Sequence, residues 1–138
     1  MGNIIEWLES DSVGIPAIDE DHKRLVLLAN ELMISAFSGD KEDKEHLIVQ
    51  GLSELIMFTQ DHFAREEEYM RRNAASNLEA HKKQHAEIVE KLFDLNNKLR
   101  KGELDIVEVS TFLMDWLYSH MRGVDHTDLI PAAKAPTG

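Results

Sequence analysis

Apolar residues recur along this chain at alternating intervals of three and four, the spacing of one face of an α-helix. The first such stripe runs through Ile18, His22, Leu25, Ala29, Leu32 and Ala36, and stops at Ser38-Gly39. The second opens at Asp40, an expected N-cap, and carries Ile48, Leu52, Leu55, Thr59, His62 and Glu66, with Gly51 inside it. The third begins at Ser76-Asn77-Leu78-Glu79, which reads as a capping box. It carries Leu78, His81, His85, Ile88, Leu92, Leu95 and Leu99, and ends at Gly102. The fourth starts near Asp105 and carries Ile106, Val109, Leu113, Trp116, Leu117 and His120. No segment reads as a strand. Amphipathic helices joined by short loops predict an all-α fold, an up-down-up-down four-helix bundle. Residues 1–131 are expected to make one domain, with residues 1–16 as an N-terminal arm packed on the bundle and 132–138 as a flexible tail.

Each stripe is interrupted by a metal-capable residue where the core should be. Burying an unpartnered neutral polar group costs on the order of 2–7 kcal/mol, and a charge costs more. One such histidine is most often a satisfied core residue. A shared seam of His22, His62, Glu66, His81, His85 and His120 is not explained that way. In an up-down-up-down bundle the start of the first helix, the end of the second, the start of the third and the end of the fourth lie together. These residues occupy those four places. His62/Glu66 and His81/His85 are i,i+4 pairs, stacked on one helix face and able to reach one metal or a close metal pair. An isolated HxxxH is a weak motif; the convergence is the signal. Asp125 lies five residues beyond His120, past Gly123, and spacing alone leaves its role open.

The donor set also points to a metal. Seven ligands exceed the roughly four of a tetrahedral zinc. Two ions taking about six ligands each offer about twelve positions. Five imidazoles, two bridging carboxylates and an oxo or hydroxo bridge would fill all but about one of these. Imidazole with carboxylate and no thiolate suits iron. A vacancy in an apolar seam suits a small molecule such as O2.

Composition narrows the remaining choices. The 138 residues include no cysteine, which excludes disulfides, thiolate metal sites and cysteine nucleophiles. The formal charge of −11 argues against nucleic acid or an anionic membrane surface as partner. Neither a secretory leader nor an apolar run of about 18 residues is apparent, so a soluble cytoplasmic domain without membrane insertion is expected. Of the seven histidines, His46 sits in a charged stretch and reads as solvated, and His126 reads as a surface residue. In Glu66-Glu67-Glu68 only Glu66 has the phase to point inward. Trp116, Phe63, Phe58 and Phe112 read as core, with Trp116 and Phe63 as walls of a pocket.

Together these segments resemble the hemerythrins, in particular bacterial hemerythrin domains, over about residues 4 to 130. The resemblance rests on Trp7 with Val13-Gly14-Ile15, Ile18-Asp19-Glu20-Asp21-His22 and His62-Phe63-Ala64-Arg65-Glu66-Glu67. It continues through His81-Lys82-Lys83-Gln84-His85 and Trp116-Leu117-Tyr118-Ser119-His120, with Asp125. It implies a non-haem pair of irons (Fe2+/Fe3+) bridged by oxo or hydroxo, binding O2 reversibly as hydroperoxide, with small anions as competitors. By position, His81, His85 and His120 match the ligands of one iron, and His22 and His62 those of the other. Glu66 and Asp125 match the bridging carboxylates, which makes Asp125 an expected ligand. The open position falls on the iron with two histidines, and Leu117 matches the residue over the O2 pocket. Asp21 and Asn73-Ala74-Ala75-Ser76 depart from the family pattern, which usually has Gln and a Gly-Tyr-Pro-like turn there. Storage, delivery or sensing of O2 is expected rather than catalysis. The alternatives are a sensing domain of a larger signalling protein and a di-iron oxidase. Oxidase bundles typically repeat Glu-x-x-His, which does not occur in this sequence.

Overall fold

A computed structural model describes residues 5–37, 41–103, 106–125 and 128–129. The expected caps at Asp40 and Asp105, His126 and the expected tail lie outside the described residues. Four helices follow in order: α1 (Pro16–Phe37), α2 (Lys41–Arg72), α3 (Leu78–Arg100) and α4 (Ile106–Trp116). Among the described residues there is no strand. α1 packs on α2, α2 on α3, and α4 against α1, an antiparallel bundle.

The stripes face inward because burying them removes apolar surface from water, worth about 25 cal/mol per Å2. Leu25, Ala29, Leu32, Leu52, Leu55, Leu92, Leu95, Val109 and Leu113 are all buried. Pro16 takes the first position of α1, where its missing N–H costs nothing and its fixed φ suits the helix. Gly51 lets α2 approach α1 closely: a Cβ there would sit 3.1 Å from Leu32 Cδ1.

Helix ends differ in part from expectation. The capping box at Ser76–Glu79 does not form. Asn77 precedes α3 without a side-chain cap, and its amide instead donates to Asp128 Oδ1 at 3.1 Å. α3 ends as predicted at Gly102, whose φ of +72° closes a turn in which Glu103 N–H donates to Lys98 O. α2 ends in the same kind of turn, with Ala75 N–H donating to Met70 O. There the left-handed position falls to Ala74, at φ +51°.

The fourth helix departs most. From Leu117 to Asp125 the backbone widens into a π-helix, with i→i+5 hydrogen bonds in place of i→i+4.

The N-terminal arm packs on the bundle. Asn30 of α1 both accepts from Ile5 N–H at 2.8 Å and donates to Ile5 O at 2.7 Å. Asp11, buried at the end of a short 3-10 turn, accepts from Leu8 N–H and from Arg122 of the π segment, at 2.7 and 2.6 Å. Asp19 in the first turn of α1 accepts from Ser12 Oγ and Val13 N–H. The core falls into a large cluster along the bundle and a small one at one end, built from Val13, Ile15, Ile18, Met70 and Leu129.

Candidate metal centre

The seven residues singled out from the sequence meet at one end of the bundle. His22 lies in the second turn of α1, His62 and Glu66 near the end of α2, and His81 and His85 in the opening turns of α3. His120 and Asp125 lie on the π segment. All seven are at least 94% buried. In an α-helix of 3.6 residues per turn, side chains five apart diverge by about 140°. The i→i+5 pitch brings them onto one face, and Asp125 Oδ1 sits 3.0 Å from His120 Nε2.

The two carboxylates divide their oxygens between two groups of imidazoles. Glu66 Oε1 contacts Nε2 of His22 and of His62. Glu66 Oε2 lies 3.1 Å from His81 Nε2 and 3.2 Å from His85 Nε2. Asp125 Oδ2 lies 2.9 Å from His22 Nε2, and Oδ1 faces His81 and His120. Two donor sets result. One is His81, His85 and His120 with both carboxylates, and the other His22 and His62 with the same carboxylates. Within each set the donor atoms lie within 4.8 Å of one another.

The hydrogen bonds behind the imidazoles show what belongs between them. His62 Nδ1–H donates to Asp21 Oδ2 at 3.0 Å, His81 Nδ1–H to Asp128 Oδ2 at 2.8 Å and His85 Nδ1–H to Glu67 Oε2 at 3.0 Å. Each ring then directs its Nε2 lone pair inward, toward carboxylate oxygens that also offer only lone pairs. His85 Nε2 and His120 Nε2 face each other at 3.0 Å. Converging lone pairs repel unless cations stand among them. At His22 and His81 a proton takes that place. Burial works against a charged imidazole, yet contact with Asp125 and Glu66 outweighs it and pushes both His22 and His81 up to about 10. Burial raises Glu66 and Asp125, but the surrounding histidines hold both well below the ordinary carboxylate range. The donor set fits a pair of cations.

A small cavity of about 10 Å3 adjoins the cluster, room for about one water-sized molecule. His22, His62, His120 and Asp125 line it, as do the apolar Leu25, Phe63, Trp116, Leu117 and Met121. Both histidines of the two-histidine set border it, against His120 alone from the other set, so the space lies nearer the two-histidine side. Trp116, Phe63 and Leu117 thus border this cavity. Phe63 also stacks on His85, with centroids 3.7 Å apart. Phe58 and Phe112 pack at the edge of the core, and His46 is exposed.

Sequence reasoning did not find Glu67, Asp128 or the contact made by Asp21. Glu67 was expected on a solvated face, since one residue turns a helical side chain by about 100°. It is half-buried and reaches sideways to α3. Asp128 has no spacing signal, because it meets His81 from beyond the π segment.

An antiparallel bundle that gathers five imidazoles and two shared carboxylates at one end defines a paired-metal protein. The chain belongs to the hemerythrin family: residues 13–131 match the hemerythrin HHE cation binding domain. A bacteriohemerythrin of Pseudomonas aeruginosa is 32% identical over 120 residues, covering 86% of this chain and 75% of that protein. One from Methylococcus capsulatus is 32% identical over 124 residues, covering 88% and 92%. The crystal structure of wild-type hemerythrin superposes with a TM-score of 0.85 at 27% identity, covering 96% of this chain and 99% of that one. The family places this chain among the di-iron proteins that bind O2.

Proposed function

We propose that the protein captures O2 reversibly at two irons held by these seven side chains. His81, His85 and His120 would hold one iron, His22 and His62 the other, with Glu66 and Asp125 spanning both. With an oxo or hydroxo bridge, the three-histidine side would have six ligands and the other five. Such a pair supplies two electrons, one from each iron, for binding O2. The carrying observation is the cavity: of the described cavities, the one bordered by both His22 and His62, with His120 alone from the other set, lies toward the side that this count leaves one ligand short.

The chain's own groups do the rest. Asp21, Asp128 and Glu67 fix three imidazoles in the tautomer that presents Nε2 inward. Leu25, Phe63, Trp116 and Leu117 keep bulk water from the vacancy. The vacancy also suits small anions, which would compete with O2. A set rich in imidazole and poor in carboxylate favours binding over oxidase chemistry.

The test is metal analysis followed by gas cycling. About two irons per chain and no haem are expected, with an anaerobic reduced form that takes up O2 and releases it under vacuum over repeated cycles. One zinc per chain, or irreversible oxidation on first contact with O2, would overturn the proposal.

A further inference from the structure

Asp21 precedes His22 on α1, yet its carboxylate serves α2. Its Oδ2 accepts two hydrogen bonds, from His62 Nδ1–H at 3.0 Å and from Arg65 Nε–H at 2.7 Å. Its Oδ1 accepts from Arg65 Nη2 at 3.0 Å. The Asp21 side chain is 13% exposed and that of Arg65 45%, so a largely covered carboxylate bridges a buried imidazole and a guanidinium at the surface. The other imidazoles are supported differently. Asp128, behind His81, meets the neutral amide of Asn77. His22 Nδ1 is buried without a hydrogen-bond partner. Of the three imidazoles beside the cavity, His22, His62 and His120, only His62 has a carboxylate on its Nδ1 among the described residues.

We propose that Asp21 and Arg65 act as opposed positioning residues on His62, setting its donor strength toward the open-side iron and so the reduction potential of the pair. This rests on the function proposed above. A carboxylate on Nδ1–H draws that proton and makes Nε2 a stronger donor, and a stronger donor favours ferric over ferrous iron. Arg65 binds the same oxygen that His62 uses, and its positive charge withdraws electron density from that atom. The two side chains therefore push His62 in opposite directions. Among the described hydrogen bonds, Arg65 reaches His62 through Asp21.

The experiment uses the iron-loaded full chain, with the two-electron diferric/diferrous couple titrated anaerobically against mediators. Asp21→Asn keeps the shape and removes the charge, and it should raise the potential. Arg65→Gln leaves Asp21 unopposed and should lower it. In the double variant the effect of Arg65→Gln should shrink to less than half, because its route is gone. A structural role alone would shift both variants in one direction. A second readout needs no iron: 15N NMR of the metal-free protein should show the His62 Nδ1–H signal moving in Asp21→Asn. Shifts of the same sign, unchanged potentials, strictly additive effects or an unmoved His62 signal each overturn the role of Asp21 and Arg65 while leaving the iron pair standing. A parent protein that loads no iron pair overturns both proposals.

Discussion

Two leucines one turn apart on the fourth helical run carry different burdens. Leu113 is fully buried in the main core, far enough along the helix to miss the cavity. Truncation to alanine should cost about 2–5 kcal/mol by leaving an unfilled space, read from urea unfolding. Leu117 is equally buried but lines the cavity beside His22 and His62. On the function proposed above, its bulk would keep water and anions from the vacancy, where a dry surrounding disfavours proton delivery. Leu117→Asn should therefore speed loss of the oxygenated form to the ferric form, with iron content near that of the parent. The check is the decay of the visible absorption beside metal analysis of both variants. Equal decay rates in Leu117→Asn and the parent would count against a gating role.

At the scale of elements, the turn after α2 and the π segment each hold a testable feature. Ala74 takes a left-handed conformation at φ +51°, which costs a residue with a Cβ roughly 1–2 kcal/mol. Glycine there removes that cost but loosens the unfolded chain by about 0.4–1 kcal/mol. Ala74→Gly is expected to leave iron binding alone and stabilise the protein by up to about 1 kcal/mol, measured by thermal unfolding. The π segment is tied to the arm through Arg122, which donates to Asp11 and to Glu6 O and lies over the Tyr118 ring. Arg122→Met should cost about 1–3 kcal/mol, because it strips charged donors from a buried carboxylate. Because Arg122 sits between His120 and Asp125, the same change should also weaken metal retention against a chelator. Loss of stability with unchanged retention would separate the arm from the metal end.

For the whole molecule, the protons that occupy the cluster make stability depend on both pH and metal. His22 and His81 are raised from 6.5 to about 10. Their protonation stabilises the metal-free fold fully below about 6.5, and that contribution is lost as pH climbs through about 10. Glu66 and Asp125 are lowered instead, so their contribution is present above their ordinary values of 4.5 and 3.8 and is lost in strong acid. The melting temperature of chelator-treated protein should therefore fall between pH 7 and pH 10. Iron-loaded protein should melt higher and not follow that fall, because metal replaces the protons. Metal uptake at pH 7 should release protons, seen as a buffer-dependent heat in calorimetry. Metal-free and loaded protein melting together at every pH is the outcome that would contradict this account.

Much of the fold and most of the cluster were legible along the chain, for a local reason. Within a helix, spacing becomes facing: the period of 3.6 that buries Leu52, Leu55 and Thr59 must also bury His62 and Glu66. The ends of antiparallel helices then meet without further instruction, so five histidines and Glu66 declare one site. Asp125 was open on spacing alone, because five residues point away in an α-helix and together in a π-helix, and the pitch is set by packing. The partners behind the imidazoles depend on tertiary structure for the same reason. Asp21 meets His62 across α1 and α2, Glu67 meets His85 across α2 and α3, and Asp128 reaches His81 from past the π segment. The side on which space remains was likewise decided by how Leu25, Phe63, Trp116 and Leu117 pack. A helical period carries which residues share a face, whereas contacts between faces and the volume left among them exist only once the helices have packed.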